Sequence, residues 1–360
     1  MNSRERFLKT INKEEKPDRP PVFANLVPQV AEKLSEAMGM EYEPPVDSML
    51  GVRISHPQLL NKLGNDCVGI ASCAPVNAPT VTDKNGIITN EWGMKFKPFG
   101  MYNELYEFPL ANAENVQDIE KYTFPDPDAR GRYDHAKGII QKYGNDYGIV
   151  ADLETSILET SWYLLGLEKF LMDLIMEKSY VFALMDKVME INTQIGKRLI
   201  ELGPDMIWAG DDFGTQHGML VDPEIWRKHF KPRIKYMFDE FRSVNPDIKI
   251  AWHSCGSITE IIPDFIELGL DALNPLQPLA KDMTPENLTE KYIDDLIFFG
   301  GIDIQELLPH GSPEEIKNEV KRRAQIYGSK GNYIIAPAHT IQLDTPLENI
   351  FAFFDAAKEL

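Results

Sequence analysis

The chain has 360 residues, 43% of them hydrophobic, which supports a large core in one α/β barrel or in two smaller domains. Its formal net charge is −19, from 37 Lys and Arg against 56 Asp and Glu. No basic block runs along it, and phosphate binding needs clustered cations, so a nucleic-acid partner is not expected.

Three cysteines, Cys67, Cys73 and Cys255, make no disulfide framework. The charged opening lacks the apolar core of a signal peptide, and no apolar run is long enough for a bilayer. A reduced, cytoplasmic setting with no membrane contact is the expectation.

In chain order, residues 3–13 have helical spacing with Phe7, Leu8 and Ile11 on one stripe, broken by Lys16-Pro17-Asp18-Arg19-Pro20. Residues 21–26 read as a short buried strand, 28–38 as an amphipathic helix and 44–63 as further short helices. Residues 67–71 are a second strand. Alternation through Thr80, Val81 and Thr82, a turn at Lys84-Asn85-Gly86, and Ile87 to Thr89 predict a β-hairpin insertion near residues 78–99, placed over one end of the molecule. Prolines at 125 and 127 precede a helix over 129–143.

Regular alternation follows. Strands are predicted at 147–154, 206–212, 248–253, 271–277, 296–303 and 333–339. Helices lie between them, at 167–176, 179–202, 223–244, 258–268, 285–292 and 313–327, and a last helix at 346–359 closes the chain. With 21–26 and 67–71 this makes eight strands in a parallel arrangement. The fold expected is a single α/β domain over 1–360, a closed (β/α)8 TIM barrel with an N-terminal helical segment. No Gly-x-Gly-x-x-Gly follows a strand, so a dinucleotide cofactor is not indicated.

Barrel chemistry sits at the C-terminal strand ends. Those ends carry Glu154, Asp211, Asp212, His253, Cys255, Asn274, Gln277, Asp303 and His339. His253 and Cys255 stand two apart, so on a strand they share a face. An imidazole and a thiolate there make half of a zinc site; a buried cysteine beside a hydrogen-bonded histidine is the alternative. His339 can supply a third ligand across the mouth. Glu154 can complete a tetrahedral set, or be a salt-bridged rim carboxylate. Of Asp211 and Asp212, one should face the mouth as a ligand, a partner to a ligand or a general acid. Trp208 and Phe213, with Trp252, could line an apolar substrate pocket. His217, Gln277 and Asp303 are further substrate-binding candidates.

These landmarks resemble a known group. Arg4-Glu5-Arg6-Phe7-Leu8, Pro17-Asp18-Arg19-Pro20-Pro21-Val22, His253-Ser254-Cys255-Gly256, Gly269-Leu270-Asp271-Ala272-Leu273-Asn274 and Asp344-Thr345-Pro346-Leu347-Glu348-Asn349 are similar to the uroporphyrinogen decarboxylase superfamily, over essentially the whole chain. The resemblance implies the same barrel. The decarboxylases carry an arginine-rich segment after the first strand. Here that position reads Phe23-Ala24-Asn25-Leu26-Val27-Pro28-Gln29, without the cations a polycarboxylate needs.

The His-x-Cys pair resembles instead the zinc-dependent corrinoid methyltransferase branch. That branch has a late cysteine where this chain has His339. Asp211-Asp212-Phe213-Gly214-Thr215-Gln216 looks like a segment of the methyltransferases of anaerobic O-demethylases. The resemblance implies zinc, and a corrinoid carried by a separate partner protein. The activity it implies moves a methyl group from a small methylated substrate, best a phenyl methyl ether, to cob(I)amide, with zinc as Lewis acid. An imidazole in place of a thiolate leaves a more electrophilic metal. The alternatives are a methylcobamide:thiol methyltransferase, a metal-free quaternary-amine methyltransferase, a uroporphyrinogen decarboxylase, and a barrel that only binds a corrinoid protein. A homodimer is compatible with all of them.

Overall fold

The computed structural model describes residues 1–99 and 102–360. Seven strands form one curled parallel sheet. In chain order they are β1 (Cys67–Ile70), β6 (Gly148–Asp152), β7 (Met206–Gly210), β10 (Lys249–His253), β11 (Ala272–Asn274), β12 (Ile297–Ile302) and β13 (Tyr333–Pro337), and they pair in that order. Both faces are covered, so the strands read as continuous apolar runs. Crossovers between them are helical, the longest being Ser179–Glu201. The helix expected over 223–244 is two, Pro223–His229 and Lys231–Val244, because Pro232 in the first turn of the second has no N–H to continue the first.

Alternate strand residues point inward. Cys67, Val150, Met206, Trp208, Ala251, Ala272, Ile297, Phe299, Ile334 and Ala336 make an inner core with Phe23, and Phe7 and Ile11 of the N-terminal helix Ser3–Asn12 join it. The helix is held by charge. Arg6 donates to Asp18 Oδ1 at 2.8 Å and to Asp66 Oδ1 at 2.7 Å, and Arg19 donates to Asp66 Oδ2 at 2.7 Å. One more step along the inward parity from Val150, Ala251 and Ala272 reaches Asp152, His253 and Asn274. The same alternation that fills the core therefore lifts polar groups into the mouth.

The eighth expected strand, 21–26, is not part of this sheet. It makes two isolated parallel bridges, Val22 to Ile335 and Leu26 to Ile341. On its other side, side chains replace a ladder: Asp66 Oδ2 accepts from Val22 N at 2.8 Å, and Asn65 Oδ1 from Ala24 N at 2.9 Å. Pro20 and Pro21 remove consecutive donors, so a regular ladder cannot start there.

The insertion is larger than a hairpin. β2 (Val81–Thr82), β3 (Ile88–Thr89), β4 (Lys95–Phe99) and β5 (Tyr102–Glu107) form a four-stranded antiparallel sheet. Asp83 Oδ1 accepts from Asn85 N and Ile87 N, and Gly86 takes φ +80°, which sets the expected turn.

Candidate metal centre

His253 ends β10, and Cys255 follows two residues on. His253 Nδ1 lies 2.6 Å from Asn274 Oδ1, while Asn274 Nδ2 donates to Phe299 O at 3.1 Å. The second bond turns the amide oxygen toward the imidazole, so Nδ1 carries the proton and Nε2 a lone pair. That lone pair faces Cys255 Sγ at 3.4 Å. His339, on the turn after β13, brings its ring to 6.0 Å from that of His253, centroid to centroid. One ligand atom from each of His253, Cys255 and His339 falls within 4.8 Å of the others. Bonds of about 2.0–2.3 Å in a tetrahedral set place ligand atoms about 3.3–3.7 Å apart, so the trio fits zinc without rearrangement beyond small rotations.

Electrostatics agree with ligation by neutral imidazole. Burial, then Arg53, pushes His253 down to about 3. Crowding at the mouth, then His253 and Arg53, lowers His339, although that ring keeps an exposed flank. Burial, with Asp212 and Glu159, pushes the Cys255 thiol well up, so a thiolate there needs a cation.

The two aspartates split as alternation requires. Asp212 Oδ1 accepts from Cys255 N at 2.7 Å and stands 3.5 Å from His253 Nε2. Asp211 is fully buried, and its oxygens accept from Ser156 N, Ile157 N and Glu159 N. It caps the start of the helix Leu158–Leu165, and burial pushes its carboxyl up to about 7 against those donors.

Glu154 is also elsewhere. Its backbone is left-handed at φ +69°, and its carboxylate accepts from Ser48 Oγ and Leu50 N, both at 2.6 Å, and from Met49 N at 3.1 Å. It lies outside the cluster formed by His253, Cys255 and His339, where a fourth ligand was expected. Burial and Asp152 push it up to about 8 against those donors.

Of the substrate-binding candidates, Trp208 lines the mouth with His253 and His339. Phe213 and Trp252 are fully buried against Trp226, Phe230 and Phe265, so they are core. His217 is exposed at the tip of a small hairpin, β8 (Gly214–Thr215) with β9 (Gly218–Met219). Asp303 accepts from Gln305 N, Glu306 N and Leu307 N, a cap. Gln277 Oε1 accepts from Gly256 N at 2.6 Å and so braces the Cys255 turn.

Two residues near the cluster, Arg53 and Glu159, gave no sequence signal, and a third, Asn274, gave only a weak one. Arg53 stacks at 4.6 Å over the Trp208 ring and lies 3.6 Å from Asp152 Oδ1. It sits on an irregular stretch whose only feature is Gly51. Glu159 is half-buried, and burial with Asp212 and Asp211 holds its carboxyl well above the usual range; Tyr163 donates to it at 3.2 Å. Asn274 ranked only as a strand-end polar residue, because its value is in the bond it makes across to β10.

A model of the uroporphyrinogen decarboxylase (URO-D) family matches residues 2–360. The chain belongs to the URO-D family. Curated relatives are methyltransferases. This URO-D chain is 24% identical over 184 residues to a methylated-thiol–coenzyme M methyltransferase of Methanosarcina mazei, covering 51% of the chain and 45% of that protein. It is 24% identical over 233 residues to the methylcobamide:CoM methyltransferase MtaA of Methanosarcina barkeri, covering 62% and 61%. The matched stretches thus span about half to three-fifths of those relatives. A solved methyltransferase from Methanosarcina mazei superposes with TM-score 0.70 at 20% identity, over 100% of this chain and 99% of that one, which shows the fold. Among the described residues no helix is long and apolar enough to cross a membrane.

Proposed function

We propose that the protein is a zinc-dependent methyltransferase working with a corrinoid carried by a separate protein. The observation that carries this is the His253, Cys255 and His339 cluster, with Asn274 fixing the tautomer, in a family whose curated relatives bear methylcobamide and coenzyme M in their names. His253, Cys255 and His339 would hold zinc, leaving a position open at the mouth. Zinc there supplies Lewis acidity toward a heteroatom that carries, or receives, the methyl group. Asp212 is the carboxylate at hand, bonded to the Cys255 backbone and facing the His253 ring. It holds the Cys255 turn in place and offers a proton acceptor beside the reacting heteroatom.

Two imidazoles and one thiolate put less electron density on the metal than a thiolate-richer set. That favours polarising the oxygen of a methyl ether, with cob(I)amide of the partner as acceptor. The second reading, methyl transfer from methylcobamide to a thiol, is favoured by the relatives' names. Decarboxylation of a porphyrinogen is disfavoured, since Arg53 is the one cation among the described residues lining the mouth.

The test has two parts. Purified protein should hold about one zinc per chain, and His253→Ala should lose both metal and activity; metal-free protein with an active His253→Ala variant would sink the proposal. Reduced cobalamin with methoxyaromatics, and methylcobalamin with thiols, are then assayed separately. Turnover only with thiols reverses the direction of transfer.

A further inference from the structure

A second cavity opens beside the mouth, between the ends of β1 and β6, the helix Ser179–Glu201 and the turn ahead of β4. It has about 480 Å³ of empty space, part of it open to solvent, and shares no lining residue with the cavity around His253 and His339. Two buried groups that line it lack the partner their chemistry calls for. Glu154 is 5% exposed, and among the described residues its carboxyl is held only by uncharged donors, Ser48 Oγ, Met49 N and Leu50 N. The nearby cations are taken: Arg53 pairs with Asp152 Oδ1 at 3.6 Å, and Arg132 grips Glu91 through two bonds of 2.6 Å. Asn192 is 4% exposed and spends its Nδ2 on Ser156 O at 2.6 Å and Thr155 O at 3.4 Å; its Oδ1 accepts from no described residue. Buried carboxylates are normally paired and buried amide oxygens normally bonded, so both groups point to a donor-rich ligand that brings positive charge.

The backbone is set to present this carboxyl. Along β6, Val150 and Asp152 point inward, and residue 154 would follow by alternation. Its left-handed backbone, φ +69°, turns the carboxyl to residues 48–50 instead. A non-glycine residue kept in that region stores strain, which the three donors to its carboxyl offset. Charge in the surroundings runs one way. Four carboxyls stand at or beside the cavity, Glu91, Glu154, Asp152 and Asp47, whose Oδ2 accepts from Thr80 N at 3.2 Å, against the two guanidiniums of Arg53 and Arg132. The Cys73 thiol, pushed up to about 12 by burial and Glu154, adds no charge at neutral pH. The field inside therefore favours a cation. Trp92, Leu153 and Ile195, all buried, supply an apolar wall for a carbon chain.

We propose that this cavity binds a small organic molecule through a primary ammonium group, with Glu154 as counter-ion and Asn192 Oδ1 as a second acceptor. An ammonium has N–H groups to spare for both and places its charge against the one carboxyl here that has no cation. In the empty cavity Glu154 keeps its proton, because burial and Asp152 push it up to about 8. An ammonium beside it favours the carboxylate, so binding below that pH releases the proton to solvent.

Calorimetry on the full chain, with n-propylammonium, 1-propanol and tetramethylammonium as probes, tests the site. Propylammonium should bind about tenfold or more tighter than 1-propanol, which lacks the charge, and about threefold or more tighter than tetramethylammonium, which lacks the N–H groups. Near about pH 6.5, titrations in buffers of different ionisation enthalpy should show about one proton released per propylammonium bound. Glu154→Gln should lose both the charge preference and the proton release. Ile195→Phe, which fills the cavity and leaves the carboxyl in place, should weaken propylammonium by about tenfold. If Glu154→Gln does not fold, the proton count in wild type and the Ile195→Phe variant still decide. His253→Ala, on the other cavity, should bind propylammonium as wild type does. Equal binding of propylammonium and 1-propanol, no proton release, or an undiminished preference in Glu154→Gln overturns the proposal. Loss of binding in His253→Ala would put the cation in the mouth and overturn it too. Potassium that displaces propylammonium at equal concentration would make this a site for an inorganic cation and remove the organic ligand.

Discussion

Asn274 decides which nitrogen of His253 faces Cys255. Its oxygen takes the Nδ1 proton, and its own amide is held by Phe299 O. Removing it frees the imidazole to rotate or change tautomer. Asn274→Leu should lower zinc affinity by about 10–100-fold in chelator competition, and Asn274→Asp, which keeps an acceptor, should recover most of it. Glu154 makes a contrasting prediction. Burial and Asp152 raise its pKa from 4.5 to about 8, so the fold prefers the protonated form. Its contribution is full below the unfolded value and is lost as pH rises through about 8. Urea midpoints should therefore fall more steeply between pH 5 and 8.5 in wild type than in Glu154→Gln, with zinc content equal in both. Parallel profiles would mean that Ser48, Met49 and Leu50 hold the carboxylate ionised. A change in zinc content would return Glu154 to the ligand set.

At the scale of elements, what the sequence carried was parity and alternation. Apolar runs located seven strands of the sheet, and the two-residue step from His253 to Cys255 put both on one face because pleating forces it. The turn where His339 sits was legible as a strand end. What could not be read is the competition for each polar group. Asp211, Asp303 and Glu154 read as strand-end residues, and each also accepts from backbone N–H groups left orphaned by a nearby turn or helix start. Arg53 was invisible because it arrives through a 3-10 turn with no periodicity. The segment after Pro20 was apolar enough for a strand, but the N–H groups of Val22 and Ala24 go to side chains at Asp66 and Asn65, while Phe23 N bonds Ile335 O. Asp66 thus bonds Arg6, Arg19 and Val22 while 0% exposed. Asp66→Ala should destabilise the protein by about 3–5 kcal/mol in urea unfolding, because it strands the Arg19 guanidinium and the Val22 N–H and leaves Arg6 with Asp18 alone. A loss below about 1 kcal/mol would show that Phe7 and Ile11, with the Arg4–Asp205 and Arg6–Asp18 pairs, hold the N-terminal helix without Asp66.

On the scale of the molecule, the cluster is a cross-link. His253 and Cys255 belong to the end of β10, His339 to the end of β13, and β11 and β12 lie between them in the sheet. A metal bound there would tie two strands that share no ladder, across β11 and β12. Any ligand that binds the folded chain alone stabilises it by mass action: free zinc at a hundred times its dissociation constant adds about 2.7 kcal/mol. For a chain of 360 residues the unfolding entropy is about 0.8 kcal/mol per kelvin, so that gain raises Tm by about 3–4 °C. Wild type should show this rise on zinc addition and lose it with chelator, while far-ultraviolet circular dichroism stays constant, because the sheet and the N-terminal clamp do not depend on the metal. His253→Ala and His339→Ala should each abolish the shift. A shift that survives in His339→Ala would confine the metal to β10 and remove the cross-link, and with it the reason for the last strand to end in a histidine.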